Sequence, residues 1–468
     1  MGLLTFTSSR KKAFYGLLIL LFLVMFFIRF FPLRIYHWWD EAVYLQHAEI
    51  FFSGRLNYSE LSFRPPLISL IFSVFYYVWH SAVTASIITS LFGAIAPVLA
   101  FFAGKKMYGT GTGIIAGFIT GFSSFFIINS NFIMTDIPAM SLIGLSFLLL
   151  NYYEKKHFIF LSGISYSLAV LTKFTSALFI LVVAVFFLTE RLSLKKAYYF
   201  ISGASIALIP YLIWAQISLG SFAYPFIVGS AMVSDKNENT MYYLTNFPLF
   251  LSYIAIIGLI LWAAAYIFSY LSGRNEGKKD KILIVWIFLF LAYLTYVPHK
   301  ELRYLFPIGL PLAILSARGY IIFSRLFNSR LRIIFGALLA GYFIIAGFLV
   351  FYNQVEGRGM IINESFDEVR AADYIKGMNY TGSIYSHHNW PVLAYYSGLE
   401  VKSIWPNDMQ FYSHADDILK NSGIIIVTTE VPKQPNPEWL RNNSNFTFIR
   451  SFGNSHIFYY NNSIMEPY

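Results

Sequence analysis

The sequence has no cysteine, little charge and no glycine-rich loop of the Rossmann or Walker type. The lack of cysteine excludes disulfide bonds, thiolate nucleophiles and cysteine-ligated metals. The lack of a glycine-rich phosphate loop argues against an enzyme that uses a nucleotide or nucleotide-sugar. Charged residues make up only 12% of the 468 residues, about half the share found in an ordinary soluble domain.

Apolar and aromatic residues are abundant instead, at 57% and 19% of the chain. Several apolar runs are long enough to cross a bilayer, which needs about 20 helical residues, and aromatic rings favour the lipid headgroup region. The net charge of +10 would suit nucleic acid, but the basic residues are spread along the chain as loop markers. We therefore predict an α-helical polytopic membrane protein that does not bind nucleic acid.

Eleven apolar runs are predicted to span the membrane. The first is too long for a signal-peptide core and no small-residue cleavage site follows it, so we expect it to remain as an anchor. The two runs on either side of Lys173 are short, and a broken helix with a re-entrant piece is an alternative. The predicted spans are 13–31, 82–103, 112–128, 137–153, 158–171, 174–189, 196–217, 249–271, 282–297, 303–323 and 332–352.

Alternate loops are basic, which predicts that they face the cytoplasm. With eleven spans, this places the N-terminus inside and the C-terminal tail outside a cell membrane that the chain crosses many times. Asn-x-Ser/Thr sequons support the topology, because all of them fall in segments already assigned to the outside. They begin at Asn57, Asn363, Asn379, Asn442, Asn445 and Asn461.

Two outer segments are large. Residues 32–81 contain two stretches with helical spacing of apolar and polar residues, which predict helices lying in the membrane interface. Residues 355–468 change composition and contain strand-like runs such as GIIIVTTE. We predict a transmembrane domain at 1–354, including the outer loop 32–81, and a small extracytoplasmic α/β domain at 355–468.

The connections assigned to the outer face contain unusual charges. A charge at membrane depth is costly, so such residues are usually paired, hydrated or functional. Cations can hold a phosphate, and a carboxylate can activate a hydroxyl. The residues are Asp40 and Glu41 in RIYHWWDEAVYL, Arg64 before PPL, Asp136 in MTDIPAM, Lys173 in LTKFTS, and His299, Lys300, Glu301 and Arg303 in VPHKELRYL.

Each of these motifs also has a structural interpretation. Asp40 and Glu41 suit the cap of the helix that follows, as does Asp136 beside its Pro138. Lys173 can extend its ammonium to the headgroups, and Glu301 can pair within its own loop. Arg64 can be an interface anchor before a rigid proline turn. The arrangement of all of them on one predicted face favours a functional site.

The order of these motifs resembles that of the GT-C superfamily of integral-membrane glycosyltransferases. An acidic pair follows span one, RPPL comes later in the same loop, TD lies between spans three and four, and HKELR precedes a late span. The resemblance is strongest to the protein O-mannosyltransferase and lipid A aminoarabinose transferase branch, and covers about residues 13–350. The central loops here are too short for the MIR domain of the protein mannosyltransferases.

The resemblance implies a polyprenyl- or dolichyl-phosphate sugar donor and an inverting single displacement by an acceptor hydroxyl. Asp40 would be the base, and Glu41 would orient it or hold the acceptor. Cations would stabilise the leaving phosphate without a general acid. The implied phosphate clamp is Lys173, Lys300 and Arg303 with Arg64 as a further candidate. Asp136 and His299 would line the sugar site, and Glu301 is assigned to substrate binding, either to the phosphate or to the sugar.

Several points stay open at this stage. The sugar is mannose or a similar hexose, and the acceptor is a glycan, a lipid or a protein. No cofactor is assigned, although His299 with Glu41 or Asp136 is an alternative divalent-metal site. A transporter or lipid flippase is the alternative function, but such proteins usually have charges near the bilayer midplane and inverted repeats.

Overall fold

The computed structural model describes residues 8–34, 37–54, 64–231, 238–272, 277–363, 367–386, 389–404, 419, 421–429 and 435–461. The chain separates into two compact units. The helical unit contains Met1–Leu33 and Phe51–Glu356, and the α/β unit contains Arg34–Ile50 and Gly357–Tyr468. All of 32–81 was predicted to belong with the membrane spans, whereas Arg34–Ile50 belongs to the α/β unit.

The helices are numbered in chain order. They are α1 Ser8–Phe30, α2 Trp39–Phe52, α3 Leu67–Tyr76, α4 Ala82–Tyr108, α5 Thr110–Phe122, α6 Ser124–Ser130, α7 Asp136–Leu150, α8 Lys156–Thr172, α9 Phe179–Thr189, α10 Leu194–Leu219, α11 Tyr224–Ala231, α12 Tyr242–Leu251, α13 Tyr253–Leu271, α14 Lys278–Tyr296, α15 Phe306–Ser324, α16 Ser329–Asn363, α17 Asp367–Gly377, α18 Trp390–Ser397 and α19 Pro437–Asn442. Short 3₁₀ turns cover Phe174–Leu178 and Leu302–Leu305.

Every predicted span overlaps a helix, and the predicted polytopic helical fold is confirmed. The predicted count of eleven membrane spans is not confirmed. In the described part of the chain, five helices are long and apolar enough to cross a bilayer, or six if α5 and α6, bent by 57°, form one span. The helices α7 and α8 have 15 and 17 residues, so each is about 22–26 Å long, less than the bilayer core.

Glycines set the closest helix packing in the helical unit. A Cβ on Gly163 would lie 2.0 Å from the carbonyl oxygen of Phe200, and one on Gly203 would lie 2.0 Å from that of Phe160. Helices α8 and α10 therefore approach each other through their backbones, as small residues allow in membranes. Gly258 and Gly319 bring α13 and α15 together in the same way.

Arg29 is a charged residue of the apolar helix α1, and its side chain is buried inside the helical unit. The side chain is 1% exposed. Its guanidinium donates to the carbonyl oxygens of Met25 (3.1 Å), Thr120 (3.4 Å) and Gly121 (2.7 Å). The last two lie at the end of α5, where unpaired carbonyls favour a cation. Arg29 thus stabilises the bend between α5 and α6.

The α/β unit contains a sheet whose described strands are β1 Ser383–Ser386, β2 Val401–Ser403, β3 Gly423–Thr428, β4 Phe446–Phe452 and β5 Ser455–Tyr460. Their order is β2-β1-β3-β5-β4. The pairs β1–β2 and β1–β3 are parallel, while β3–β5 and β4–β5 are antiparallel. The strand β3 is apolar along its length and buried, as expected for the centre of a sheet.

Helix α2 packs within the α/β unit, apart from its last two residues. Ala42 is fully buried in a cluster with Val369 of α17 and Val392 of α18. The backbone N–H of His37 donates to the hydroxyl of Tyr396 (2.9 Å). The apolar face predicted to lie on lipid therefore contacts protein.

Candidate functional site

The connection between α14 and α15 forms the first part of the candidate site. Nε2 of His299 donates to a carboxylate oxygen of Glu301 (2.8 Å), and Nε of Arg303 donates to the other. Burial raises the pKa of Glu301, but the hydrogen bond from His299 and the charge of Arg303 outweigh it and hold the pKa well below its usual range. Glu301 is therefore ionised at neutral pH, and the predicted pairing within this loop is present.

Asp136 and Lys173 form the second part. Asp136 is the first residue of α7, where the helix dipole favours a carboxylate. Lys173 directly follows α8 and precedes the 3₁₀ turn. The ammonium of Lys173 forms an ion pair with Asp136, and the two side chains are 14% and 5% exposed. The side chain of Lys173 thus turns towards α7, where Asp136 holds it.

Tyr304 joins the two parts. Nζ of Lys173 lies 4.5 Å from the centre of the Tyr304 ring, and Cζ of Arg303 lies 5.9 Å from it. Both distances are within the range in which a ring attracts a cation. Tyr304 was not among the residues predicted from the sequence, although it directly follows Arg303. We call Asp136, Lys173, His299, Glu301, Arg303 and Tyr304 the Tyr304 cluster.

Lys300 has different surroundings from those predicted for a phosphate clamp. The side chain is buried, and its ammonium donates to the carbonyl oxygens of Val297 (2.9 Å) and Glu238 (3.3 Å). The N–H of Glu238 in turn donates to the carbonyl oxygen of Pro298 (3.1 Å). Lys300 therefore ties two loops together. Arg64 is half-buried just before α3, and its role as a phosphate ligand stays a prediction.

The acidic pair at the start of α2 divides into two environments. Glu41 is 0% exposed, whereas Asp40 is half-buried. Nη1 of Arg34 (2.8 Å) and the N–H of Trp38 (2.9 Å) donate to one carboxylate oxygen of Glu41, and Nδ1 of His37 is 3.9 Å from the other. Glu41 thus caps α2 from its first turn, which is one half of a capping box.

Charge keeps Glu41 ionised in spite of its burial. Burial raises the pKa of Glu41, but His37, Arg34 and the N–H of Trp38 together lower it below its usual value. A buried, fully engaged carboxylate cannot bind an acceptor directly. Arg34 and His37 were not singled out from the sequence, although the spacing of His37 and Glu41 is that of neighbours on a helix.

Within the described residues, no group of three or more His, Asp or Glu side chains is arranged to hold a metal ion. The pairings above already account for Asp136 through Lys173 and for His299 through Glu301. The described cluster is therefore made of cations, carboxylates and one aromatic ring. Such a set can bind an anion when the cations exchange a carboxylate for a phosphate.

Two family models match parts of the sequence. The dolichyl-phosphate-mannose-protein mannosyltransferase family matches residues 63–214, and the Alg9-like mannosyltransferase family matches residues 237–397. Among curated protein sequences, none matches the chain.

Two solved structures are similar over most of the chain. ArnT from Cupriavidus metallidurans, bound to undecaprenyl phosphate, is 14% identical, with a TM-score of 0.69 over 97% of this chain and 99% of that one. The archaeal oligosaccharyltransferase AglB from Archaeoglobus fulgidus, in complex with an inhibitory peptide and a dolichol-phosphate, is 12% identical, with a TM-score of 0.66 over 90% of this chain and 70% of that one. At these identities, the similarity is one of fold.

Proposed function

We propose that this chain, a membrane glycosyltransferase of the GT-C superfamily, takes its sugar from a polyprenyl-phosphate donor. The superfamily itself was predicted from the motifs, and the two family matches and the fold confirm it. Mannose is the proposed sugar, because both matching families are mannosyltransferases. The proposed acceptor is a hydroxyl group of a glycan, a lipid or a protein.

The Tyr304 cluster carries this proposal. A sugar linked to a polyprenol through one phosphate gains a second negative charge on that phosphate when the bond to the sugar breaks. The cations of Lys173 and Arg303 both lie near the Tyr304 ring. They would bind the leaving phosphate, with two negative charges, more strongly than the phosphate of the intact donor, with one. Groups that bind the transition state better than the ground state accelerate the reaction.

Asp136 and Glu301 would keep the two cations in place before the donor arrives. Each carboxylate is paired with one cation in the structure. A phosphate oxygen would replace part of each pairing, so the cations would need little movement to bind it. A preorganised arrangement of this kind avoids the cost of reorienting charges during the reaction.

Asp40 is proposed to remove the proton from the acceptor hydroxyl. A single displacement with phosphate as leaving group needs one base and no general acid, unlike the two-carboxylate arrangement of a hydrolase. Asp40 suits this role better than Glu41, because Asp40 is only half-buried whereas Glu41 is 0% exposed. Glu41 would then be a positioning residue that fixes the first turn of α2, which contains Asp40.

The test uses the purified full chain and polyprenyl-phosphate mannose with a labelled sugar. We expect release of polyprenyl phosphate together with transfer of the label to an acceptor. Asp40→Asn should abolish more than about 99% of the activity while unfolding at the wild-type temperature, since proton removal typically contributes about 10²–10⁴-fold. Asp373→Asn, the same change at an exposed position of α17, is the control.

Two outcomes would contradict this function. An Asp40→Asn variant as active as the Asp373→Asn control would remove the proposed base. Movement of the donor lipid across a vesicle membrane without release of polyprenyl phosphate would favour the transporter alternative.

A further inference from the structure

A second charged region lies at the other end of the helical unit. A cavity of about 400 Å³ opens where α4, α13 and α15 end and α14 begins. Tyr304 comes just before α15 and Arg325 just after it. The helix rises 1.5 Å per residue, so the cavity lies about 30 Å along α15 from the Tyr304 cluster. It is therefore a separate site, which the proposed function does not use.

One residue that lines this cavity is the buried carboxylate Asp280, and its charge is neutralised by Arg318. Asp280 is 2% exposed and accepts hydrogen bonds from Nη1 of Arg318 (2.8 Å), the hydroxyl of Tyr108 and Nε1 of Trp262 (3.4 Å). Cζ of Arg318 lies 4.1 Å from the centre of the Tyr108 ring. The charges of Asp280 and Arg318 cancel each other, so this pair leaves the cavity without net charge.

Two further cations line the same cavity and are exposed. They are Lys281 in the first turn of α14 and Arg325 at the end of α15. Within the part of the chain that the structure describes, neither forms an ion pair. The described lining therefore presents two positive charges beside aromatic rings, which is the chemistry that holds an anionic headgroup between transmembrane helices.

An apolar groove adjoins the cavity. It has a volume of about 210 Å³, lies between α5, α15 and α16, and shares Ile321 with the cavity. Its other walls include Ile114, Phe118 and Leu339. A Cβ on Gly336 would meet no atom within 4 Å, so the groove is open at that point. A charged cavity next to a hydrocarbon-lined groove matches a ligand that is anionic at one end and apolar at the other.

We propose that the cavity and the groove together bind one lipid with an anionic phosphate headgroup. The phosphate would contact Lys281 and Arg325, and one acyl chain would lie in the groove against Phe118 and Leu339. Charge complementarity and the shared wall at Ile321, which places the two spaces side by side, carry the proposal. Binding needs neither the sugar donor nor the acceptor, so the proposal stands or fails independently of the glycosyltransferase mechanism.

The test measures thermal unfolding of the delipidated full chain in detergent. We expect dioleoyl phosphatidic acid to raise the unfolding midpoint by about 5 °C at a hundredfold excess over its Kd. Phosphatidylcholine with the same chains, and inorganic phosphate alone, should raise it by less than half as much, since the first lacks net charge and the second lacks the chain.

Matched variants separate the two parts of the site. The double variant Lys281→Gln/Arg325→Gln should lose most of the stabilisation by phosphatidic acid. The double variant Lys195→Gln/Arg330→Gln removes the same charge from exposed positions outside the cavity and should keep it. Gly336→Leu, which adds a side chain to the open part of the groove, should weaken binding of the lipid.

Three results would overturn the proposal. The first is equal stabilisation by phosphatidylcholine, and the second is full stabilisation of the Lys281→Gln/Arg325→Gln variant. The third is full stabilisation by inorganic phosphate combined with an unchanged response of Gly336→Leu, which would make the ligand a soluble phosphate.

Discussion

At each end of the helical unit, a carboxylate pairs with a cation that lies against an aromatic ring. At one end, Asp136 pairs with Lys173, whose ammonium lies 4.5 Å from the Tyr304 ring. At the other, Asp280 pairs with Arg318, whose guanidinium carbon lies 4.1 Å from the Tyr108 ring. Each carboxylate lies in the first turn of a helix.

The two ion pairs are also buried to nearly the same extent. The exposures of the cation and the carboxylate are 14% and 5% at the first end, and 17% and 3% at the second. The difference is in the neighbours. Arg303 brings a second cation to the ring of Tyr304, whereas Asp280 gains two further donors, from Tyr108 and Trp262. The proposed phosphate site therefore depends on the second cation beside the ring of Tyr304, and not on the ion pair with Asp136 alone.

The largest expected effect is on stability at the second end. Asp280→Asn should lower the free energy of unfolding by about 3–5 kcal/mol, because it leaves the buried charge of Arg318 without its partner. The activity of each folded molecule should change little. Unfolding in denaturant and the transfer rate of the folded fraction measure the two quantities. A selective loss of activity without a loss of stability would show that Asp280 acts in the reaction and not in folding.

The next effect is on activity at the first end. Arg303→Gln should lower the rate of sugar transfer by about a hundredfold, as removal of one group that stabilises a developing negative charge typically does. The unfolding temperature should fall only slightly, because Glu301 keeps its hydrogen bond from His299. Initial rates at saturating donor test this. A variant that loses stability in proportion to activity would make the two ends equivalent.

A smaller effect on stability is expected at a third buried carboxylate, Glu41. Its lowered pKa stabilises the folded chain above the usual pKa of glutamate, near about 4.3, and this contribution is lost as the pH falls through the folded value. Glu41→Gln should therefore reduce stability by about 1–3 kcal/mol at pH 7 and by less in acid. Hydrogen exchange of α2 in the full chain against pH measures it.

The control for this prediction is Glu400→Gln, which changes an exposed carboxylate of the same unit. Its stability should follow the wild-type pH dependence. If Glu41→Gln also followed the wild-type curve, the carboxylate would not be held ionised by Arg34 and His37.

Much of the fold followed from hydrophobic pattern. Each apolar run predicted to span the membrane overlaps a helix, and the strand-like run GIIIVTTE contains β3. The placement of α2 could not be obtained in this way. An apolar face built around residues such as Ala42 is the same whether it lies against lipid or against protein, and only the fold shows that it packs on Val369 and Val392.

The types of residue in the candidate site could be predicted from the sequence, but the directions in which their side chains point could not. Lys300 and Arg303 are three positions apart in one loop, yet the first is buried against backbone carbonyls and the second reaches the ring of Tyr304. Backbone conformation decides which way each side chain points, and spacing in an irregular loop does not reveal it. Tyr304 could not be singled out from the sequence, because aromatic residues are common throughout this chain.

Binding of polyprenyl phosphate to the purified chain tests the central claim, that Lys173 and Arg303 hold the leaving phosphate. The Kd should rise about tenfold or more in Lys173→Gln and in Arg303→Gln, because each change removes a charge-assisted contact. Lys300→Gln, which removes a cation from the same region, should bind nearly as the wild type does. Wild-type affinity in both Lys173→Gln and Arg303→Gln, or an equal loss in Lys300→Gln, would contradict the claim.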